Sequence, residues 1–141
     1  PNISEAAFMT GMPYPGENAS NECIKDLLLS LAKLGSKKIV ITGVESADHK
    51  FGFMGYDSET KEFFEYYTPK VQMKSHGTGD VFASTFTGAL MNDYNIQDSL
   101  KIAADFTKAC INNTYNDPEA VNYAVNFESE IPYLLKLIRK V

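Results

Sequence analysis

Residues 24 to 43 read I-K-D-L-L-L-S-L-A-K-L-G-S-K-K-I-V-I-T-G, an amphipathic stretch that stops at Gly35 and gives way to a β-branched run. Ile24, Leu27, Leu28, Leu31, Ala32 and Leu34 recur at intervals of three and four, the apolar stripe of a helix packed on a core. Residues 38 to 43 form the pattern of a buried parallel strand that follows its crossover helix, with its parallel neighbours expected to be absent from this chain and helices on both faces. Helix, short loop and buried strand together indicate an α/β fold. Ligands of open α/β sheets gather at the carboxyl ends of strands, which makes Thr42 and Gly43 candidate nucleotide contacts. A plain strand-end turn fits the same two residues.

Outward from this unit, residues 51 to 56 and 62 to 67 are aromatic runs around a polar turn and predict a hairpin that extends the sheet. Thr68, Pro69, Lys70 and Val71 follow, and Pro69 makes them extended. At the other side, residues 4 to 10 predict a helix with Ser4 as its cap, stopped by Gly11 and Pro13. Asn18 or Ser20 caps the helix that runs to about Leu34. Residues 79 to 93 predict a helix, and Asn95 caps another with Leu100, Ile102, Ala103, Phe106, Ala109 and Cys110 on its apolar side. Residues 115 to 127 read as irregular, and residues 130 to 140 as an amphipathic helix with basic residues at its C-terminal end.

The chemical centre is K-S-H-G-T-G-D-V-F-A-S-T-F, residues 74 to 86. Gly77 and Gly79 allow positive φ and close backbone approach, so the amides of residues 77 to 80 can converge on one anion. The helix start adds about half a unit of positive charge, which favours a phosphate oxygen. A carboxylate beside a phosphate is repelled by it unless its task is to take the proton of an incoming hydroxyl, and Asp80 then points to phosphoryl transfer. Asp80 also fits an ordinary loop as a first-turn helix residue. The stretch has neither the spacing of a P-loop nor the full glycine pattern of a dinucleotide site. His76, with no carboxylate or cysteine partner, reads as a turn residue.

The chain of 141 residues is long enough for one domain, and its net charge of −5 disfavours nucleic-acid and anionic-membrane surfaces. No apolar run has the length of a membrane span, so a soluble, cytoplasmic protein is expected. Cys23 and Cys110 lie far apart without metal-site spacing and are expected to be buried, reduced thiols. The opening Pro1-Asn2, without a starting methionine, reads as an interior cut. Asn2 and Glu5 place an amide and a carboxylate about one turn apart at a helix start, where Glu5 could hold magnesium directly or through water. Glu5 as a plain first-turn residue needs no metal.

Taken together, P-N-I-S-E-A-A-F-M-T-G, V-I-T-G-V-E and S-H-G-T-G-D-V-F-A-S resemble, in this order, a pyridoxal kinase of the ribokinase-like superfamily. The resemblance spans essentially all 141 residues. It implies the C-terminal, nucleotide-binding half of a three-layer α/β/α sandwich with a mostly parallel sheet, without the N-terminal half that carries much of the vitamin pocket. It implies that Gly77, Thr78 and Gly79 form the anion hole and that Asp80 is the base. The N-x-x-E pattern of Asn2 and Glu5 resembles the family's magnesium and phosphate element. Thr42 resembles a strand-end nucleotide contact, Thr68, Pro69, Lys70 and Val71 the loop bordering ATP, and Asn113 with Ala109 the helix that covers adenine. The activity implied is ATP- and Mg2+-dependent phosphorylation of a vitamin B6 vitamer, by a protein expected to be a homodimer. Hydroxymethylpyrimidine kinases are the neighbouring alternative, and they often carry cysteine where Asp80 stands. A nucleotide-binding remnant without catalysis is the alternative from another class.

Overall fold

The computed structural model describes residues 1–16, 19–46, 48, 50–69, 76–120 and 124–139. They form two compact units, Pro1–Lys70 and Val71–Val141. The first holds helices α1 (Ile3–Thr10) and α2 (Asn21–Ala32) and strands β1 (Lys38–Glu45), β2 (Phe51–Asp57) and β3 (Glu62–Thr68). The second holds α3 (Thr78–Met91), α4 (Ile96–Asn116), a 3-10 turn (Glu128–Glu130) and α5 (Ile131–Arg139). Lys70, Val71 and Asn18 lie outside the described residues.

Helix α2 begins where the Ser20 hydroxyl accepts the Cys23 amide at 3.3 Å. Its stripe of Ile24, Leu27, Leu28 and Leu31 is buried against Ile39, Ile41, Val44 and Met54. The stripe ends sooner than its spacing suggested. The helix closes at Ala32, Gly35 turns left-handed at φ 106°, and Leu34 is left exposed. Cys23 is also exposed, because it sits off the stripe, whereas Cys110 is fully buried.

The sheet is an antiparallel meander in the order β1-β2-β3. The hairpin does extend the sheet, but β1 is not parallel to its neighbour in the chain. The connection of residues 46–50 is far too short for a parallel crossover, so β2 must return antiparallel. Parallel pairing survives at one bridge, Asn2 beside Thr42, where the Thr42 amide donates to the Pro1 carbonyl at 2.9 Å.

Strand β1 carries a bulge. Thr42 pairs with Phe53 and Val44 with Gly52, which leaves Gly43 as the extra residue at φ 76°. Strict alternation after Ile39 and Ile41 would send Val44 outward. The inserted glycine reverses the phase, and Val44 is buried in the same core.

At the opposite end of the sheet the buried Asp57 carboxylate accepts from Lys38 Nζ and from the Glu59 amide, both at 2.9 Å, and from the Thr60 amide at 3.4 Å. Burial is the largest influence on Asp57 and pushes its pKa up. The Lys38 hydrogen bond, the two amides and the Lys38 charge together outweigh it and hold the carboxyl below its usual range. The same bond raises Lys38.

In the second unit Asn95 caps α4, its Oδ1 accepting the Asp98 amide at 2.8 Å. Phe106, Cys110 and Val125 form a core against which Val81, Leu134 and Leu137 pack. Burial, with a smaller contribution from Glu130, pushes the Cys110 thiol up to about 11. The Tyr94 hydroxyl donates to the Ile138 carbonyl and ties α5 to the turn before α4.

Two outcomes follow for stability. A Cβ on Gly52 would lie 2.2 Å from the Tyr67 ring and 2.7 Å from the Tyr66 carbonyl, which belongs to the β3 backbone and cannot step aside. Gly52→Ala should therefore cost about 2 kcal/mol or more in urea unfolding. For Asp57, a folded-state pKa below the unfolded one contributes stability that is present above about pH 4 and lost as pH falls through the depressed value. Thermal melts should show that acid loss, and Asp57→Asn should flatten it.

Candidate phosphate and nucleotide site

Helix α3 starts without a side-chain cap. Its N-cap is Gly77, left-handed at φ 85° and ψ −5°, and glycine offers no side chain to cap the first turn. The Val81 amide bonds back to the Gly77 carbonyl at 3.0 Å, so the amides of Thr78, Gly79 and Asp80 precede the helical ladder. Such a start is suited to an anion, since both the open amides and the dipole favour negative charge. The left-handed backbone sits at Gly77 alone. Gly79 is helical, so a positive φ does not account for glycine there, and among the described residues a Cβ on it would meet no atom within 4 Å.

Asp80 lies in the first turn of α3 and is exposed. Its carbonyl accepts the Ser84 hydroxyl at 2.7 Å, while its carboxylate has no hydrogen bond or ion pair among the described residues. It can therefore accept a proton from an incoming hydroxyl without first breaking an internal contact. His76 is exposed just ahead of the turn.

Asn2 and Glu5 are bound to each other. Asn2 Oδ1 accepts the Glu5 amide at 2.9 Å and Glu5 Oε2 accepts the Asn2 amide at 2.8 Å, a capping box that makes Asn2, and not Ser4, the cap of α1. Asparagine in extended conformation reaches the third helical amide, which Ser4, already inside the helix, cannot do. The parallel bridge brings this pair to Thr42 and the Gly43 bulge. Thr68 is buried at the end of β3, opposite Phe51, which in turn faces Glu45 of β1. Thr68 and the exposed Pro69 thus belong to the same end of the sheet as Thr42.

Within the second unit, Val81 packs on Phe106 and Cys110, which puts the start of α3 beside the half of α4 that carries Asn113. Asn113 lines an open cleft of about 540 Å³ with Asn116, Asp117, Asn126 and Ser129. Asn113 Nδ2 donates to Ser129 Oγ at 2.8 Å, and Asn126 Nδ2 to Asp117 Oδ2 at 2.9 Å. The sequence reading places Asp117 and Asn126 in the irregular stretch of residues 115 to 127 and gives Ser129, just beyond it, no role. The N-D-P at residues 116 to 118 was the available signal, because Asp117 Oδ1 turns the chain by accepting the Glu119 amide at 2.9 Å.

Among the described residues, no group of three or more His, Cys, Asp or Glu side chains comes together to hold a metal. Magnesium carried on phosphates takes only one or two protein carboxylates. Glu5 fits such a role through the oxygen that the capping box leaves open. No helix among the described residues is long and apolar enough to cross a membrane.

No curated protein matches this chain. Among solved structures, a candidate phosphomethylpyrimidine kinase of Bacteroides thetaiotaomicron is 26% identical in each of two crystal forms, with TM-scores of 0.86 and 0.83. These cover 96% and 98% of this chain and 46% and 48% of that one, and the second form was solved with pyridoxal. Pyridoxal kinase of Lactobacillus plantarum is 24% identical with a TM-score of 0.81, over 99% of this chain and 49% of that chain. Pyridoxal kinase of Leishmania donovani, solved with ADP and pyridoxamine, is 18% identical with a TM-score of 0.78, over 96% and 46%. The last two likenesses carry the fold alone, and that fold is the ribokinase-like α/β class expected from the sequence. This chain spans about half the length of the solved chains that it matches. The profile of the phosphomethylpyrimidine kinase family matches residues 1–125, and the chain belongs to that family.

Proposed function

We propose that this chain is the nucleotide-binding half of a kinase domain that transfers the γ-phosphoryl group of ATP to the hydroxymethyl oxygen of pyridoxal, pyridoxine or pyridoxamine. The observation that carries the reading is the start of α3, where a left-handed Gly77, the uncapped first turn and an Asp80 carboxylate with no partner among the described residues occur together in a member of a kinase family. The amides of Thr78 and Gly79, behind Gly77, receive the transferring phosphate. Asp80 takes the hydroxyl proton as the oxygen attacks phosphorus, and the bond to the β-phosphate oxygen breaks to release ADP. Glu5, steadied by Asn2, holds magnesium, which when bound neutralises phosphate charge. Thr42, Gly43, Thr68, Pro69, Lys70, Val71 and Asn113 border the nucleotide. A second reading, a pyrimidine as acceptor, is favoured by the description of the matching family.

The base is tested by Asp80→Asn in the protein that carries this chain. Turnover of pyridoxal should fall about a hundredfold or more while affinity for a non-hydrolysable ATP analogue is kept or improved, as a carboxylate near phosphate is lost. Unchanged steady-state turnover would remove Asp80 from the reaction, and analogue binding without turnover in the unaltered protein would mark a binding module. Gly79→Ala separates ligand approach from folding. The helical backbone accepts alanine, so stability should hold or rise by up to about 1 kcal/mol. Phosphate affinity should nevertheless fall, because the added methyl group faces the anion. Unaltered affinity in calorimetry would show that no phosphate approaches this backbone.

A further inference from the structure

We propose that Asn126 is the specificity-determining residue of the cleft beside α4, held by Thr114 and Asp117 so that its carboxamide oxygen selects a purine bearing an amino group. The inference rests on the reading of Asn113 as a nucleotide contact and goes beyond it by naming the side chain that reads the base.

Thr114 is 1% exposed, and its hydroxyl is used twice. It donates to the Cys110 carbonyl at 2.7 Å and accepts the Asn126 amide at 2.9 Å. The hydroxyl has one proton, so donation within α4 leaves it an acceptor for an N–H that reaches it from elsewhere. The Asn126 amide fills that place and fixes the backbone of Asn126 against the helix.

The Asn126 side chain is fixed from the other side. Its Nδ2 donates to Asp117 Oδ2 at 2.9 Å, while Asp117 Oδ1 accepts the Glu119 amide at 2.9 Å. A carboxylate engaged through both oxygens only accepts, so the carboxamide must turn its NH2 group to Asp117 and cannot be reversed. The end left for a ligand is Oδ1, which has no partner among the described residues. Asn113 is not fixed in this way. Its Nδ2 meets the Ser129 hydroxyl, which can donate as well as accept, so Asn113 can present either end.

The rest of the lining calls for the same kind of ligand. The carboxylates of Asp117 and Glu128 belong to the cleft, and among the described residues no Lys, Arg or His lines it. Such a surface disfavours phosphate and is matched by an uncharged group that donates N–H, as the amino edge of an aminopurine does.

Calorimetry on the protein that carries this chain tests the inference, with ATP and with the triphosphate of purine riboside, the same base without its amino group. The unaltered protein should bind ATP about tenfold or more the tighter of the two. Asn126→Ala removes the oxygen and keeps the backbone amide on Thr114, and it should bring the two affinities together by weakening ATP alone. Thr114→Val, close in shape but without the hydroxyl, should do the same, and Thr114→Ser should restore the preference. Should Thr114→Val fail to fold, Asn126→Ala, a change on the partly exposed wall, decides alone. A folded Thr114→Val protein that keeps the preference, or weakens both ligands alike, would overturn the positioning role. Equal affinities in the unaltered protein, or a preference that survives Asn126→Ala, would overturn the whole inference and leave the nucleotide reading in place. Binding of neither triphosphate would overturn that reading and this inference with it.

Discussion

The left-handed bulge at Gly43 is the constraint on which the first unit turns. Ile39, Ile41 and Val44 all reach one core, although a regular strand would point the third of them away. Inserting one residue at φ 76° restores the phase. Among the described residues an added Cβ would reach just the Phe51 ring, at 4.0 Å, so conformation and not space calls for glycine. The bulge follows Thr42, whose amide holds Pro1 beside the strand end. The position of Asn2 and Glu5 relative to the sheet therefore depends on the residue that keeps Val44 inside.

Helices α1 and α3 solve the same problem in opposite ways. Each start leaves amides without helical partners and concentrates partial positive charge. At α1 the chain satisfies them internally, through Asn2 and Glu5. At α3 Gly77 has no side chain to accept them, and the acidic residue of the first turn, Asp80, does not fold back as Glu5 does. A side-chain cap is worth about 1 kcal/mol, and α3 forgoes it. The same helix start is suited to an anion, which the dipole and the first-turn amides favour.

Much of this was legible in the sequence because it is local. The stripe of α2, the β-branched β1, the hairpin and the Asn95 cap all follow from side-chain periodicity and turn chemistry. What escaped was set by partners distant in the chain or by competition between adjacent residues. The antiparallel pairing of β1 depends on the short connection to β2, which the strand's own hydrophobic run does not encode. The cap passed from Ser4 to Asn2 because the reciprocal bond with Glu5 satisfies two amides at once. Cys23 is exposed because it lies off a stripe that the neighbouring leucines define, and the cleft beside Asn113 is assembled by hydrogen bonds from Ser129 and Asn126 that no spacing announces. The glycine-rich turn was legible in type, but only Gly77 takes the left-handed backbone.

The acceptor is where the chemistry of Asp80 bears on the two functional readings. A phosphomethylpyrimidine carries a phosphate by name, and a phosphomonoester with a second pKa of about 6 is largely dianionic at neutral pH. As a phosphoryl acceptor it needs no base, and an unpartnered carboxylate next to it is a liability through like-charge repulsion. An alcohol is the reverse case. Its proton must leave as the new bond to phosphorus forms, and a carboxylate that is exposed, without a hydrogen bond among the described residues and set at the positive end of a helix can take it. The residues proposed to hold magnesium and phosphate would serve either acceptor equally and so do not discriminate. Under the proposed role of Asp80, that one side chain is where an alcohol acceptor and a phosphate acceptor would differ, whereas a hydroxymethylpyrimidine, itself an alcohol, would need the same base as pyridoxal.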